Sequence, residues 1–287
     1  MPADAPKPDA PKLGILAGGG ELPRLLIRTC REQGREVFVI AFKGQCDAET
    51  VTDVDHAPVD HAWVRLGAAG TSIKLLNDHG VQDLVMAGHI RRPSVTALMP
   101  DARAIRFLAG GAMSKGDDGL LRTIIAGLER DEGFRMVGVH DVMPELLSPK
   151  GPIGAISPST ADQIDIDTAI AGALDLGAAD KGQAAVALNG AVVALEEQDG
   201  TDAMLRRLIL SGQARGETGG GVLAKMTKPG QERRADLPAI GQLTVENAHA
   251  AGLKGIVVEA GGSIIVGRDA VIKTADALGL FVVGVSR

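Results

Sequence analysis

An α/β protein in two parts is predicted: a Rossmann-like doubly wound N-terminal domain, then a distinct C-terminal α/β domain with a mixed sheet. Three observations carry this. Short apolar runs alternate with amphipathic helical stretches through the first half, which is the pattern of βαβ units. The two-residue hairpin signal Asn189-Gly190 breaks that alternation in the second half. Between them, residues 141–160 carry Pro144, Pro149, Pro152 and Pro158 with Gly151 and Gly154, the composition of a linker.

The elements follow in order. Residues 1–12, MPADAPKPDAPK, hold Pro, Ala and charge without an apolar stretch, so a disordered lead is expected and a signal peptide is not. Leu13 to Ala17 reads as a buried strand. Leu22, Leu25, Leu26 and Cys30 then share a helical face, with Pro23 tolerated in the first turn and Gly34 at the end. Val37 to Phe42 is the next strand, completing a right-handed parallel unit. The pattern recurs with a helix through Ile73, Leu75 and Leu76, a strand from Leu84 to Ala87, and a helix through Leu120, Leu121, Ile124, Ile125 and Leu128. A strand from Phe134 to Val139 closes the first domain, 13–140. In the second domain, 161–287, a helix over 162–176 precedes strands Gln183 to Leu188 and Ala191 to Glu196. Thr201-Asp202 is expected to cap a helix through Met204, Leu205 and Leu208. Further strands are expected at Val222 to Met226, Ile256 to Glu259, Ser263 to Val266 and Leu280 to Val285.

Composition excludes several classes. With 45% hydrophobic and 23% charged residues among 287, the chain is globular. A net charge of −6, no Tyr, one Trp (Trp63) and five Phe argue against a nucleic-acid partner, which needs basic patches and stacking platforms. Cys30 and Cys46 have no metal or redox spacing, so free buried thiols and a reducing, cytoplasmic setting are expected. No apolar run approaches the roughly eighteen residues that would span a bilayer.

Five motifs carry candidate chemistry. Gly18-Gly19-Gly20-Glu21-Leu22-Pro23 follows the first strand at a helix start, where amides can receive a polar ligand group; a tight turn fits equally. It is not a dinucleotide fingerprint, because Pro23 holds the third glycine position and Phe42-Lys43-Gly44 stands where a ribose-binding acid belongs. Met86-Ala87-Gly88-His89-Ile90-Arg91-Arg92-Pro93 lies on the same carboxyl edge, with Arg91 and Arg92 as anion contacts or solvated charges, and no second His at ligand spacing to His89. In Lys115-Gly116-Asp117-Asp118-Gly119 the acids either cap the following helix or help hold Mg²⁺. Gly200-Thr201-Asp202, with Glu196, Glu197 and Asp199 before it, reads as a cap and solvated hairpin end or as a divalent-metal site. The strongest feature is the stretch 225–241. Lys225, Lys228, Arg233 and Arg234 surround the acids Glu232 and Asp236, and Pro229, Gly230, Pro238 and Gly241 make it a shaped loop. Four positive and two negative charges leave a net +2 between Lys225 and Asp236, which roughly balances a diphosphate diester. Asp236 is placed to orient and deprotonate a water.

Together, Ala17-Gly-Gly-Gly-Glu-Leu-Pro23, Ala87-Gly-His-Ile-Arg-Arg-Pro93, Lys115-Gly-Asp-Asp-Gly-Leu-Leu-Arg122, Gly200-Thr-Asp-Ala-Met-Leu205 and Lys228-Pro-Gly-Gln-Glu-Arg-Arg-Ala-Asp-Leu-Pro238 resemble, in this order, the LpxI-type UDP-2,3-diacylglucosamine pyrophosphatases. Lys181 departs from the pattern, standing where an aliphatic residue is expected. The resemblance implies a Mg²⁺-dependent hydrolase of lipid A synthesis in a Gram-negative bacterium. It would be a homodimer, at the membrane surface through its lipid substrate, and would hold that substrate between its domains. It also implies that water attacks the sugar-side phosphorus and that Asp236 is the catalytic acid residue, with Lys225, Lys228 and Arg233 around it and the metal ligands undetermined. The uridine end would meet Gly18, Gly19, Gly20, Leu22, Met86, Ala87, Gly88, Gly116, Asp117 and Asp118. Leu98, Met99, Ile105, Phe107, Leu108 and Met113 are candidates for an acyl groove or for ordinary core. Two other classes fit the residues less well: a nucleotide-linked oxidoreductase and a non-enzymatic carrier of a nucleotide-linked lipid.

Overall fold

The computed structural model describes residues 10–52, 57–91, 98–109, 116–213 and 220–287. Two compact units divide the chain: Met1–Pro144 with Glu232–Ala235, and Glu145–Gln231 with Asp236–Arg287. Among the described residues no helix is long and apolar enough to cross a membrane.

In the first unit, β1 (Leu13–Ala17), α1 (Leu22–Glu32), β2 (Val37–Phe42), a short α2 (Glu49–Thr52), β3 (His61–Val64), α3 (Ala69–Asp78) and β4 (Asp83–Ala87) alternate. Helices α4 (Ala102–Ala109) and α5 (Gly116–Arg130), strand β5 (Arg135–Met136) and helix α6 (Val139–Val142) follow. The sheet runs β3-β2-β1-β4-β5 and all pairings are parallel. The order reverses between β1 and β4, so their carboxyl ends form a topological switch point. Leu13, Ile15, Val39 and Val85 are buried on one face, and Phe38, Ile40 and Leu84 on the other. The strand expected from Phe134 to Val139 is shorter, because Asp141 accepts the Gly138 amide at 2.7 Å and turns the chain into α6. At the opposite end of the sheet Asp83, 2% exposed, accepts Arg35 Nη2 at 2.6 Å, Arg135 Nε at 2.8 Å and Arg135 Nη2 at 2.6 Å. Cys30 and Cys46 are free and buried. Trp63 lies half-buried on the edge strand β3, with its ring edge-on to His61.

In the second unit, β6 (Gly151–Pro152), α7 (Gln163–Ala178), β7 (Ala184–Leu188), β8 (Ala191–Leu195), α8 (Thr201–Ser211) and β9 (Val222–Lys225) are followed by β10 (Ala239–Ile240), α9 (Gln242–Ala250), β11 (Gly255–Glu259), β12 (Ile264–Ile265), α10 (Arg268–Leu278) and β13 (Phe281–Val285). The main sheet has the order β6-β13-β11-β9-β7-β8, parallel from β13 to β9 and antiparallel outside them. Both faces are covered: Ala184, Val186, Leu223, Ile256 and Val258 belong to one core, and Ala185, Ala187, Val222, Ala224 and Val257 to another. This is the two-residue alternation of a strand buried on both sides. Asn189 and Gly190 have φ of 53° and 76°, as a type I′ hairpin turn requires. One expected strand is present but lies apart from the main sheet, and one expected helix cap is corrected. The strand expected at Ser263 to Val266 is β12, paired with β10 in a separate two-stranded sheet. Thr201 does not cap α8; Gly200 takes the cap position, and the Thr201 hydroxyl donates to the buried carboxylate of Glu196.

Candidate functional site

The carboxyl edge of the first unit brings together the two glycine motifs. Gly18 N–H donates to the Ala87 carbonyl at 2.9 Å, and Gly19 and His89 exchange backbone hydrogen bonds at 2.9 and 3.0 Å. Gly88 has φ of 89°, and a side chain there would come within 2.6 Å of the Gly19 carbonyl, so only glycine lets the two loops close up. Gly20 N–H donates to Asp47 Oδ2 at 2.7 Å. The Gln45 carboxamide clamps the backbone of Arg91, accepting its N–H at 2.8 Å and donating to its carbonyl at 3.1 Å. The amides that the sequence offered to a ligand are therefore engaged within the protein. The carboxylate of Asp47 thus occupies the Gly20 amide just before the start of α1. Asp47 lies just beyond the position where a ribose-binding acid was sought, too far past β2 for the spacing rule to find.

Leu22, Met86 and Gly88 are partly accessible beside this edge, and Ala87 is buried. Asp118 is buried in the first turn of α5. Lys115, Arg92 and Met113 lie outside the described residues, as do the side chains of Asp117 and Leu108. Of the acyl-groove candidates, Met99 and Ile105 are exposed and Phe107 is core. Phe107 also lines an open groove of about 640 Å³ with Arg106, Arg122 and Arg130, which makes that groove cationic where an acyl chain needs an apolar wall.

The second unit holds the charged loop. It leaves the carboxyl end of β9, where Lys225 Nζ donates to the Ala239 carbonyl at 2.9 Å. Thr227 closes its first turn, donating its N–H to Glu259 at 3.0 Å and its hydroxyl to the Gly262 carbonyl at 2.8 Å, while Arg287 donates to the Thr227 carbonyl at 3.0 Å. Lys228 Nζ pairs with Asp180 at 3.1 Å. Gln231 Nε2 lies 2.7 Å from Asp236 Oδ2 and 3.1 Å from Gln183 Oε1. Asp236 is partly buried and Arg233 is exposed. Lys181, the departure from the family pattern, is exposed.

The loop also has a structural duty that its charge pattern did not show. Glu232–Ala235 group with the first unit. There Arg234 forms ion pairs with Glu129 at 2.6 Å and Glu232 at 2.9 Å. The Arg234 hydrogen bond holds the Glu232 carboxyl below its usual 4.5. Arg234 is thus neutralised locally, as Lys228 is by Asp180. The acidic group read as a possible metal site is spent otherwise: Glu196 is buried, accepting the Gln183 N–H at 2.7 Å, and Glu197 and Asp199 pair with Arg207. Among the described residues no three His, Cys, Asp or Glu side chains converge as metal ligands.

Family models divide the chain near the same point: the LpxI N-terminal domain matches residues 12–146 and the LpxI C-terminal domain residues 149–283, the latter including 232–235. A curated relative from Caulobacter vibrioides, UDP-2,3-diacylglucosamine pyrophosphatase LpxI, is 45% identical over 279 residues, covering 96% of this chain and 97% of that protein. The solved structure of CobK precorrin-6A reductase covers 97% of this chain and 88% of its own, at 15% identity and a TM-score of 0.30, too low to carry fold or function across. With both domain models matched in order and a relative aligned along almost its whole length, this chain belongs to the LpxI family.

Proposed function

We propose that this protein hydrolyses the diphosphate of UDP-2,3-diacylglucosamine, releasing UMP and 2,3-diacylglucosamine 1-phosphate. The observation that carries the reading is 45% identity along 96% of the chain to a relative bearing that activity in its name. In the proposed step Asp236 takes a proton from water, and the water oxygen bonds to the sugar-side phosphorus. The bridging P–O bond breaks, and its electron pair leaves on the phosphate of UMP. Cations stabilise charge on the phosphoryl oxygens. Lys225 and Lys228 are the ammonium groups proposed to meet the phosphoryl oxygens, each ammonium carrying three donors. The Asp47 carboxylate at Gly20 opposes a phosphate there, which supports a neutral part of the ligand, such as the uracil or ribose, at the first unit's edge.

Mg²⁺ belongs to the proposal as an ion shared with the substrate. The described residues form no dedicated cage, whereas Mg²⁺ is commonly held by substrate phosphates, waters and one or two carboxylates. When bound it would neutralise diphosphate charge. Chelation is expected to abolish turnover, with Mg²⁺ restoring it; turnover unaffected by a chelator would remove the metal from the scheme. A homodimer, and contact with a membrane surface through the lipid substrate, are carried as parts of the same reading. Sedimentation at the monomer mass, and failure to co-float with substrate-bearing vesicles, would remove each in turn.

The direct test is incubation with UDP-2,3-diacylglucosamine and Mg²⁺. UMP release is expected, and Asp236→Ala should lower it by about 10²- to 10⁴-fold, the usual contribution of a general base. No UMP from the wild type sinks the substrate assignment. Wild-type turnover by Asp236→Ala sinks the role of Asp236.

A further inference from the structure

Asp236 is gripped by a side chain whose own orientation the fold determines. Gln231 is 7% exposed. Its Oε1 accepts the Lys228 backbone N–H at 2.9 Å. That N–H can only donate, so the carboxamide cannot be flipped, and its NH₂ must face Asp236 and Gln183. The two N–H groups donate to Asp236 Oδ2 at 2.7 Å and to Gln183 Oε1 at 3.1 Å. Gln183 is itself anchored: its N–H donates to Glu196, 7% exposed, at 2.7 Å, and Glu196 also accepts the Thr201 hydroxyl. A polar chain thus runs Thr201, Glu196, Gln183, Gln231, Asp236, all within the second unit, with Thr201, Glu196 and Gln231 buried.

From this geometry we propose that Gln231 is a positioning residue for phosphoryl transfer, fixing the rotation of the Asp236 carboxylate so that the fold sets which oxygen meets the water. The inference rests on the reading of Asp236 as the water-activating group. The last torsion of an aspartate is broad and roughly two-fold, so an unheld carboxylate samples many directions. A base must lie within hydrogen-bond reach of the proton it takes, and misplacement by about 1 Å can cost on the order of 10²-fold in rate. The choice of an amide also follows from the chemistry. An Arg or Lys in this place would bind the carboxylate harder and weaken it as a base, while a neutral donor orients it with less of that penalty.

The test is Gln231→Met, which keeps length and removes both donors. It is expected to lower kcat about 10- to 100-fold with KM within about two-fold of wild type. In an Asp236→Ala background the same change should alter the residual rate by less than about two-fold, because the group it positions is gone. Wild-type kcat in Gln231→Met, a loss confined to KM, or an equal loss in the Asp236→Ala background would each overturn the proposal. If Gln231→Met does not fold, Gln231→Glu keeps the shape and the acceptor for Lys228. The same fall in kcat is expected there, and wild-type kcat would overturn the proposal equally. Failure of the underlying reading looks different: Asp236→Ala itself would then turn over normally.

Discussion

Asp83 is a carboxylate almost fully removed from water and held by two guanidinium groups, one of them, Arg35, nearly as buried. Removing the acid strands a buried cation, so Asp83→Ala should cost about 3–5 kcal/mol of unfolding free energy, measurable by urea titration. Nothing in a linear reading marks this residue, because its partners lie 48 and 52 positions away. The same holds for Gln231. It carries no charge, it stands inside a motif noted for its cations, and its meaning comes from Gln183, 48 residues off. Asp236 drew attention in the linear reading because acids set among clustered cations are a local pattern. The thiols were legible for the opposite reason, an absence of any spacing. Burial pushes Cys30 up to about 11, so its thiolate is scarce at neutral pH. Ellman's reagent should react slowly with the folded protein and promptly with both cysteines after guanidine unfolding; fast native reaction would contradict the burial.

The elements that could be read in advance are those with contrast in their own residues: β1, β2, β4, α5 and the Asn189-Gly190 hairpin. Helices α9 and α10 escaped notice. The buried face of α9 is Thr244, Val245 and Ala248, small side chains that leave no stripe of Leu or Ile to detect; α10 buries Val271 and Ala275 with Ile272 and Leu278 packed beside them, a stripe the linear reading passed over. The glycine motifs were visible as glycine, but their purpose was not. They serve the close approach of the β1 and β4 loops as much as any ligand. The charged loop carries its own prediction. Glu232 titrates below its usual value when folded, so its ion pair with Arg234 contributes fully above about pH 4.5 and is lost as pH falls through the lowered value. Melting temperatures taken from about pH 6 down to 3 should therefore fall more steeply for wild type than for Glu232→Gln, with the curves converging at the acid end. Parallel curves would show that the pair adds nothing.

At the scale of the whole molecule, the two-part α/β plan follows from the alternation of the first half and the hairpin of the second. The return of Glu232–Ala235 to the first unit does not follow from either, since a chain that re-enters a unit it has left shows no break in local pattern. The placing of Trp63 has a practical consequence. With no Tyr and a single Trp in the chain, near-ultraviolet emission comes from β3 alone, so fluorescence observes the first unit and circular dichroism observes both. Each Asp83→Ala molecule then carries its own reporter: the fluorescence midpoint should move to lower urea, while the fraction of the dichroism signal contributed by the second unit keeps its wild-type midpoint if the units melt separately. A single tryptophan on an edge strand turns an ordinary unfolding curve into a measurement of whether this protein falls apart in one step or two.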